Sequence, residues 1–89
     1  MMALMTNPAT SPELVAMLAA IDSLRATLAM ARALVQSGRA VDLAGLDREA
    51  ERLCAAAACV GPAIRPLLAE PLGEATAEVE RLAALMRRP

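Results

Sequence analysis

Residues 11–38 read SPELVAMLAAIDSLRATLAMARALVQSG, and this stretch decides the fold. Ser11 suits the N-cap of a helix, Pro12 suits its first position, and Gly38 suits the residue just past its end. Between these signals, apolar residues recur at spacings of 3,4,3,4,3,4: Leu14, Met17, Ile21, Leu24, Leu28, Ala31 and Val35. Such a row, called here an apolar seam, is typical of a helix that packs lengthwise on a neighbour. We predict a helix over residues 11–37.

Two further segments repeat this spacing. The second follows Asp42, a candidate N-cap, and its seam is Leu43, Leu46, Ala50, Leu53, Ala57 and Val60. The third seam is Leu68, Leu72, Ala75, Val79, Leu82 and Met86. We predict helices over residues 42–60 and 63–88. Because Gly45 weakens the start of the second, its regular part is expected nearer Asp47.

Prolines complicate the third helix. Pro62, Pro66 and Pro71 fall within ten residues, and a proline inside a helix removes a hydrogen bond and forces a kink. We expect a broken helical turn over residues 63–70 and a break or kink near Pro66–Pro71. Pro71 either starts a new helix or kinks a continuous one.

Three seams joined by short connectors predict an all-α protein, a three-helix up-down-up antiparallel bundle with a proline-interrupted third helix. Residues 11–89 form the single domain, after a flexible N-terminal tail at residues 1–10. Alanine fills 22 of the 89 positions, and Phe, Tyr and Trp are absent. Since alanine buries little apolar area, the core is thin, and self-association could complete it.

Composition excludes several functions. The chain has no His and no Lys, only nine Arg against ten carboxylates, so the commonest general base and metal ligand and any Schiff-base amine are missing. Without a basic stripe or aromatic residues, nucleic acid is not an expected partner. We predict no enzymatic activity, no cofactor, no metal and no small-molecule substrate.

One arrangement of charges keeps an anion-binding enzyme as an alternative. Arg25 and Arg32 lie one heptad apart and could share a face with Arg52 and with Glu74 or Glu78 to form an anion pocket. The alternative is that these residues are solvated surface charges with occasional ion pairs of about 0–1 kcal/mol.

The two cysteines, Cys54 and Cys59, lie five residues apart. They point in directions roughly 140° apart on a helix, so they cannot form a disulfide with each other there. We interpret them as small buried apolar residues. The alternative is an intermolecular link across a symmetric interface.

Membrane and export signals are not recognised. The longest charge-free run after the first dozen residues is twelve residues, between Arg52 and Arg65, which is short of the roughly 20 that a transmembrane helix needs. The opening residues lack the basic and apolar regions of a secretory signal. We expect no membrane span and a cytoplasmic location.

Some apolar side chains lie beside the seams and form our candidate partner or oligomer interface: Leu18, Leu34, Leu67, Leu85 and Met86. They either broaden the internal core or form an outer apolar patch.

The plan of one long helix followed by two shorter amphipathic helices resembles the small flagellar or type III export chaperones. The segment ALVQSGRAVDLAGLDREAERLCAAA, residues 33–57, also resembles small helical proteins of GC-rich bacterial genomes. The first resemblance implies a cytosolic helper that shields an apolar helix of a secreted or assembling partner, with helix three as the contact surface.

Together these features predict a non-catalytic adaptor or chaperone that packs amphipathic helices against a protein partner. The alternative is a structural homo-oligomeric subunit whose core is completed between chains.

Overall fold

A computed structural model describes residues 11–87, which form three α-helices: α1 (Pro12–Gln36), α2 (Leu43–Ala58) and α3 (Arg65–Met86). Each helix contacts the other two. Along α1 and α2 the facing residues run in opposite directions, since Ala20 lies near Glu49 while Leu34 lies near Val41. The predicted three-helix bundle is confirmed. The predicted tail at residues 1–10 lies outside the described residues, as do Arg88 and Pro89.

The two ends of α1 carry the predicted capping signals, Ser11 at the start and Gly38 just past the end. The Ser11 hydroxyl oxygen accepts hydrogen bonds from the backbone N–H groups of Glu13 (3.2 Å) and Leu14 (3.4 Å). At the other end Gly38 has φ +86°, which is a left-handed conformation that favours glycine. The Gly38 N–H donates to the Val35 carbonyl at 2.9 Å, and the Arg39 N–H donates to Leu34 at 2.8 Å. This Schellman motif ends α1 and turns the chain toward α2.

Helix α2 begins at Leu43, four residues earlier than its expected regular start near Asp47. The Asp42 carboxylate accepts a hydrogen bond from the Gly45 N–H at 3.0 Å. A Cβ built on Gly45 would lie 2.5 Å from the Asp42 carboxylate oxygen. The glycine therefore makes room for the capping side chain, and the cap offsets its low helix propensity.

The expected break in the third helix is wrong. Helix α3 runs without interruption from Arg65 to Met86, so Pro71 lies inside it and does not start it. Pro66 lies in the first turn, where its missing N–H would have no helical partner in any case. Pro71 leaves the Leu67 carbonyl without its usual donor. Leu67 is exposed, so the missing hydrogen bond lies on the solvent-facing side of α3.

The core is one cluster that draws on all three helices and on the α2–α3 connector. Its buried members are Leu14, Ile21, Leu24, Leu28, Ala31, Leu53, Ala57, Val60, Ile64, Leu68, Ala75, Val79 and Leu82. The remaining seam residues are partly buried against this cluster. Among the described residues, no charged or polar side chain is buried. The seams thus satisfy one another within a single chain.

Replacing Pro71 with Ala should stabilise the protein by about 1–2 kcal/mol. The change restores an N–H donor to a helix interior, where proline costs about 3 kcal/mol, and gives back part of that gain through a more flexible unfolded chain. Urea unfolding followed by circular dichroism measures the difference. Pro66→Ala, in the first turn, is the matched control and should change stability by less than about 0.5 kcal/mol. Equal effects at both positions would contradict this account.

Truncation of two adjacent leucines of α3 should lower stability by very different amounts. Leu68 is 0% exposed and Leu67 is 46% exposed. Leu68→Ala should cost about 2–5 kcal/mol of unfolding free energy because it leaves a cavity in the core, whereas Leu67→Ala should cost less than about 0.5 kcal/mol. The same urea experiment compares them, and a larger loss at Leu67 would show that the register of α3 is wrong.

Candidate protein-binding groove

An open apolar groove of about 420 Å³ lies between the second half of α1 and the start of α2. It is lined by Thr27, Met30, Ala31, Leu34, Ala40, Val41, Asp42, Gly45 and Leu46. Met30 is 67% exposed at its lip, and Leu34 is half-buried within it. The groove therefore offers an apolar surface to water at one end of the bundle.

Small residues leave this space open. Ala31 of α1 and Gly45 of α2 both line the groove, and neither carries a side chain long enough to fill it. The connector between the helices is held by the Gly38 turn and the Asp42 cap, so Val41 is fixed as one wall. The groove is thus a consequence of how α1 ends and α2 begins.

The five predicted interface residues do not form one patch. Leu18 and Met86 pack against the core cluster, so they broaden the core. Leu34 lines the groove. Leu67 is exposed in the first turn of α3, and Leu85 is half-buried in its last turn, about 27 Å apart along the helix at 1.5 Å per residue.

Val41 and Leu46 also line the groove, a position that the sequence pattern does not predict. Leu46 was assigned to the core-facing seam of α2, and it does pack partly on the core. Val41 belongs to a connector, and no periodic pattern applies to a connector. The available signal was the pair of small residues, Ala31 and Gly45, at facing positions near a helix turn.

A charged clamp joins α1 to α3 on another side of the bundle. The Arg25 Nε donates to Glu78 Oε1 at 2.7 Å, and its Nη1 donates to Glu74 Oε1 at 3.2 Å. Glu78 is the least exposed partner, with 15% of its side chain accessible. The hydrogen bond that Arg25 donates to Glu78, and then the negative charge of Glu78, raise the pKa of Arg25 above its ordinary value.

The anion pocket, which the sequence leaves open as an alternative, does not form around this clamp. Arg25 is already matched by two carboxylates, so the local charge is negative rather than positive. Arg52 instead pairs with Glu49 on its own helix at 3.3 Å. Within residues 11–87, Arg32 makes no ion pair with these groups. Arg25 therefore links α1 to α3 and is not free for an anionic ligand.

The two cysteines lie at the surface of the bundle. Cys54 and Cys59 are both exposed and unpaired, so interpreting them as buried residues is wrong. They lie on the solvent side of the seam formed by Leu53, Ala57 and Val60. Within the described range, no group of three His, Cys, Asp or Glu residues could hold a metal ion.

Helix α1 is long and apolar enough to cross a bilayer by length and composition alone, with a mean hydropathy of 1.6 over its most apolar 18 residues. A third of that window is buried inside the bundle. Core helices of soluble proteins meet the same criterion, so the expected absence of a membrane span stays a prediction.

The clamp should contribute to stability through specific pairing of Arg25 with Glu78. Arg25→Ala and Glu78→Ala should each lower the urea midpoint, by less than Leu68→Ala does, because the pair is partly exposed to solvent. The double variant should lose less than the sum of the two single variants. Additive losses would contradict a direct interaction. Arg52→Ala, which breaks an exposed pair within one helix, is the control.

No protein-family model, curated protein or solved structure that was compared with the chain matches it. The interpretation of its function therefore rests on the fold and on these surfaces.

Proposed function

We propose that this protein is a non-catalytic helical adaptor or chaperone that holds an apolar segment of a protein partner in the groove between α1 and α2. The supporting observation is the groove itself, an open apolar cavity of about 420 Å³ between α1 and α2. Apolar grooves between helices bind amphipathic helices through a few large side chains spaced one turn apart.

The lining residues suit such a partner. Met30 has a flexible and polarisable side chain that adapts to different apolar surfaces, and it is exposed at the lip. Leu34 and Val41 supply apolar walls, and the only charged group in the lining is Asp42, which also caps α2. An apolar face of a helix is the occupant that leaves fewest polar groups unsatisfied there.

This groove differs from the surface that the resemblance to export chaperones implies. That resemblance places the contact on helix three, whereas the groove is bounded by α1, α2 and their connector. We therefore keep the adaptor or chaperone function and place the contact at the groove instead of on α3.

The alternative function is a structural homo-oligomer, and substitutions in the apolar seams cannot test it. Leu24 and Leu28 are buried within one chain, so replacing either with Asp would unfold a monomer and an oligomer alike. Only surface substitutions separate self-assembly from folding.

The groove is tested by capture from a cell extract with three immobilised proteins: the native chain, Leu34→Glu and Leu67→Glu. Both variants place the same charge on an accessible leucine, but Leu67 lies at the opposite end of the bundle. We expect a partner that the native chain and Leu67→Glu retain and that Leu34→Glu loses at least tenfold, since an apolar leucine contact is worth about 1.5–3 kcal/mol.

Circular dichroism of all three proteins confirms that they fold. Retention of the same proteins by all three, or of none by the native chain, would overturn the proposal. If a partner is captured as expected, fluorescence anisotropy then measures binding of the partner's isolated helix to the native chain. That binding identifies the segment that occupies the groove.

A further inference from the structure

The groove between α1 and α2 continues beyond the part described above. A second concave surface of about 380 Å³ lies next to it along the same two helices, and the two surfaces share Thr27, Gly45 and Leu46. We call the two surfaces together the long groove. The residues that line its second part are Ala20, Ser23, Leu24, Thr27, Gly45, Leu46 and Glu49.

The length of the long groove fits a helix. Its α1 side steps from Ala20 to Leu34 at spacings of three and four residues, so it follows one face of α1 over about four turns. At 1.5 Å per residue this side is about 21 Å long, which a helix of about 14 residues spans. A helix lying there contacts α1 and α2 at once, as a fourth helix does in a bundle.

Both charged side chains that line the long groove are carboxylates. Asp42 lies at the end next to the α1–α2 connector, and Glu49 lies at the other end, seven residues along the chain. Two helical turns, or about 10 Å, separate the two positions along the axis. No arginine is among the lining residues. The groove therefore combines an apolar middle with negative charges one heptad apart.

Each carboxylate keeps one oxygen for a further cation. Asp42 Oδ1 accepts the hydrogen bond from the Gly45 N–H, and Glu49 Oε1 accepts one from Arg52 Nη1 at 3.3 Å. Within residues 11–87, the second oxygens accept none. The side chains of Glu49 and Arg52 are 50% and 72% exposed, so this pair within one helix is weak and leaves Glu49 open to a second cation.

Resting on the function proposed above, we propose that the occupant of the long groove is an amphipathic helix of a protein partner with basic residues at positions i and i+7. Large apolar residues at i+3 and i+4 lie between them. The basic residues meet Asp42 and Glu49, and the apolar residues enter beside Leu34 and Leu46. Because the seven-residue spacing is the same from either end, the match holds for both directions of the partner helix.

Anionic occupants fit the long groove less well. The phosphates of nucleic acids and the head groups of anionic lipids would meet a carboxylate at each end of the groove and no lining cation. Like charges at such distances repel. A helix with acidic residues at i and i+7 has the same disadvantage, which makes it the matched comparison for a basic one.

Model peptides test this charge pattern directly. Three labelled, alanine-based peptides of about 14 residues each carry leucine at i+3 and i+4. The first has arginine at i and i+7, the second has glutamate at both positions, and the third has arginine at i and i+5, on different sides of the helix. Fluorescence anisotropy measures their Kd values for the native chain. The first should bind at least about fivefold more tightly than the second, a ratio that two exposed ion pairs support, and the third should be intermediate.

Variants of the chain assign the preference to the two carboxylates. Asp42→Asn removes the charge and keeps a good N-cap, and Glu49→Gln keeps the size of the side chain. The double variant Asp42→Asn/Glu49→Gln should bind the arginine and glutamate peptides equally. Glu51→Gln removes an exposed carboxylate of α2 outside the groove, so it should keep the preference of the native chain. Circular dichroism checks that each variant folds.

Failure of this inference is distinguishable from failure of the groove. Equal binding of the arginine and glutamate peptides by the native chain would overturn the charge pattern, as would a preference that the double variant retains. No binding of the arginine peptide at about 1 mM would overturn it too. If Leu34→Glu still abolishes capture of the partner in these cases, the groove remains the binding site. Peptide binding that Leu34→Glu leaves unchanged would overturn both proposals.

A second copy of the chain is the remaining occupant, and sedimentation velocity of the native chain alone tests it. We expect a monomer at every concentration. A dimer that Leu34→Glu abolishes would assign the long groove to self-association and overturn the proposed partner helix.

Discussion

Close approach of the three helices is the constraint on which the rest of this structure depends. The chain has no aromatic side chain to fill a wide core, so the helices must come together until leucine and isoleucine span the gap. Each helix contributes one alanine that is almost completely buried: Ala31 on α1, Ala57 on α2 and Ala75 on α3. Larger residues at these three positions would hold the helices apart.

The clamp follows from the same constraint. Ala75 lies between Glu74 and Glu78 in the α3 sequence, and its small side chain lets α3 approach α1. Arg25 can therefore reach both carboxylates with one guanidinium. At the groove, small residues have the opposite effect. Ala31 and Gly45 both line it near the end of the helix pair, where no third side chain fills the space. Small residues thus produce tight contact in the middle of the bundle and an open surface near its end.

Much of this fold could be predicted from the sequence because it depends on local signals and on helical periodicity. Ser11, Gly38 and Asp42 act on backbone groups within four residues, and the structure places each in its predicted capping role. The exception is Pro71, where the local signal indicates a break. The surrounding helix tolerates it because residues on both sides, Leu68 and Ala75, are held in the core. Packing outweighs a single missing hydrogen bond.

The candidate surfaces were harder to predict because they depend on which residues remain uncovered after packing. Leu18 and Leu34 look equivalent beside the seam of α1, yet Leu18 packs on the core and Leu34 lines the groove. That difference arises from the position of the α1–α2 connector, which no residue of α1 specifies. The exposure of Cys54 and Cys59 has the same origin, since a small residue beside a seam can face either way.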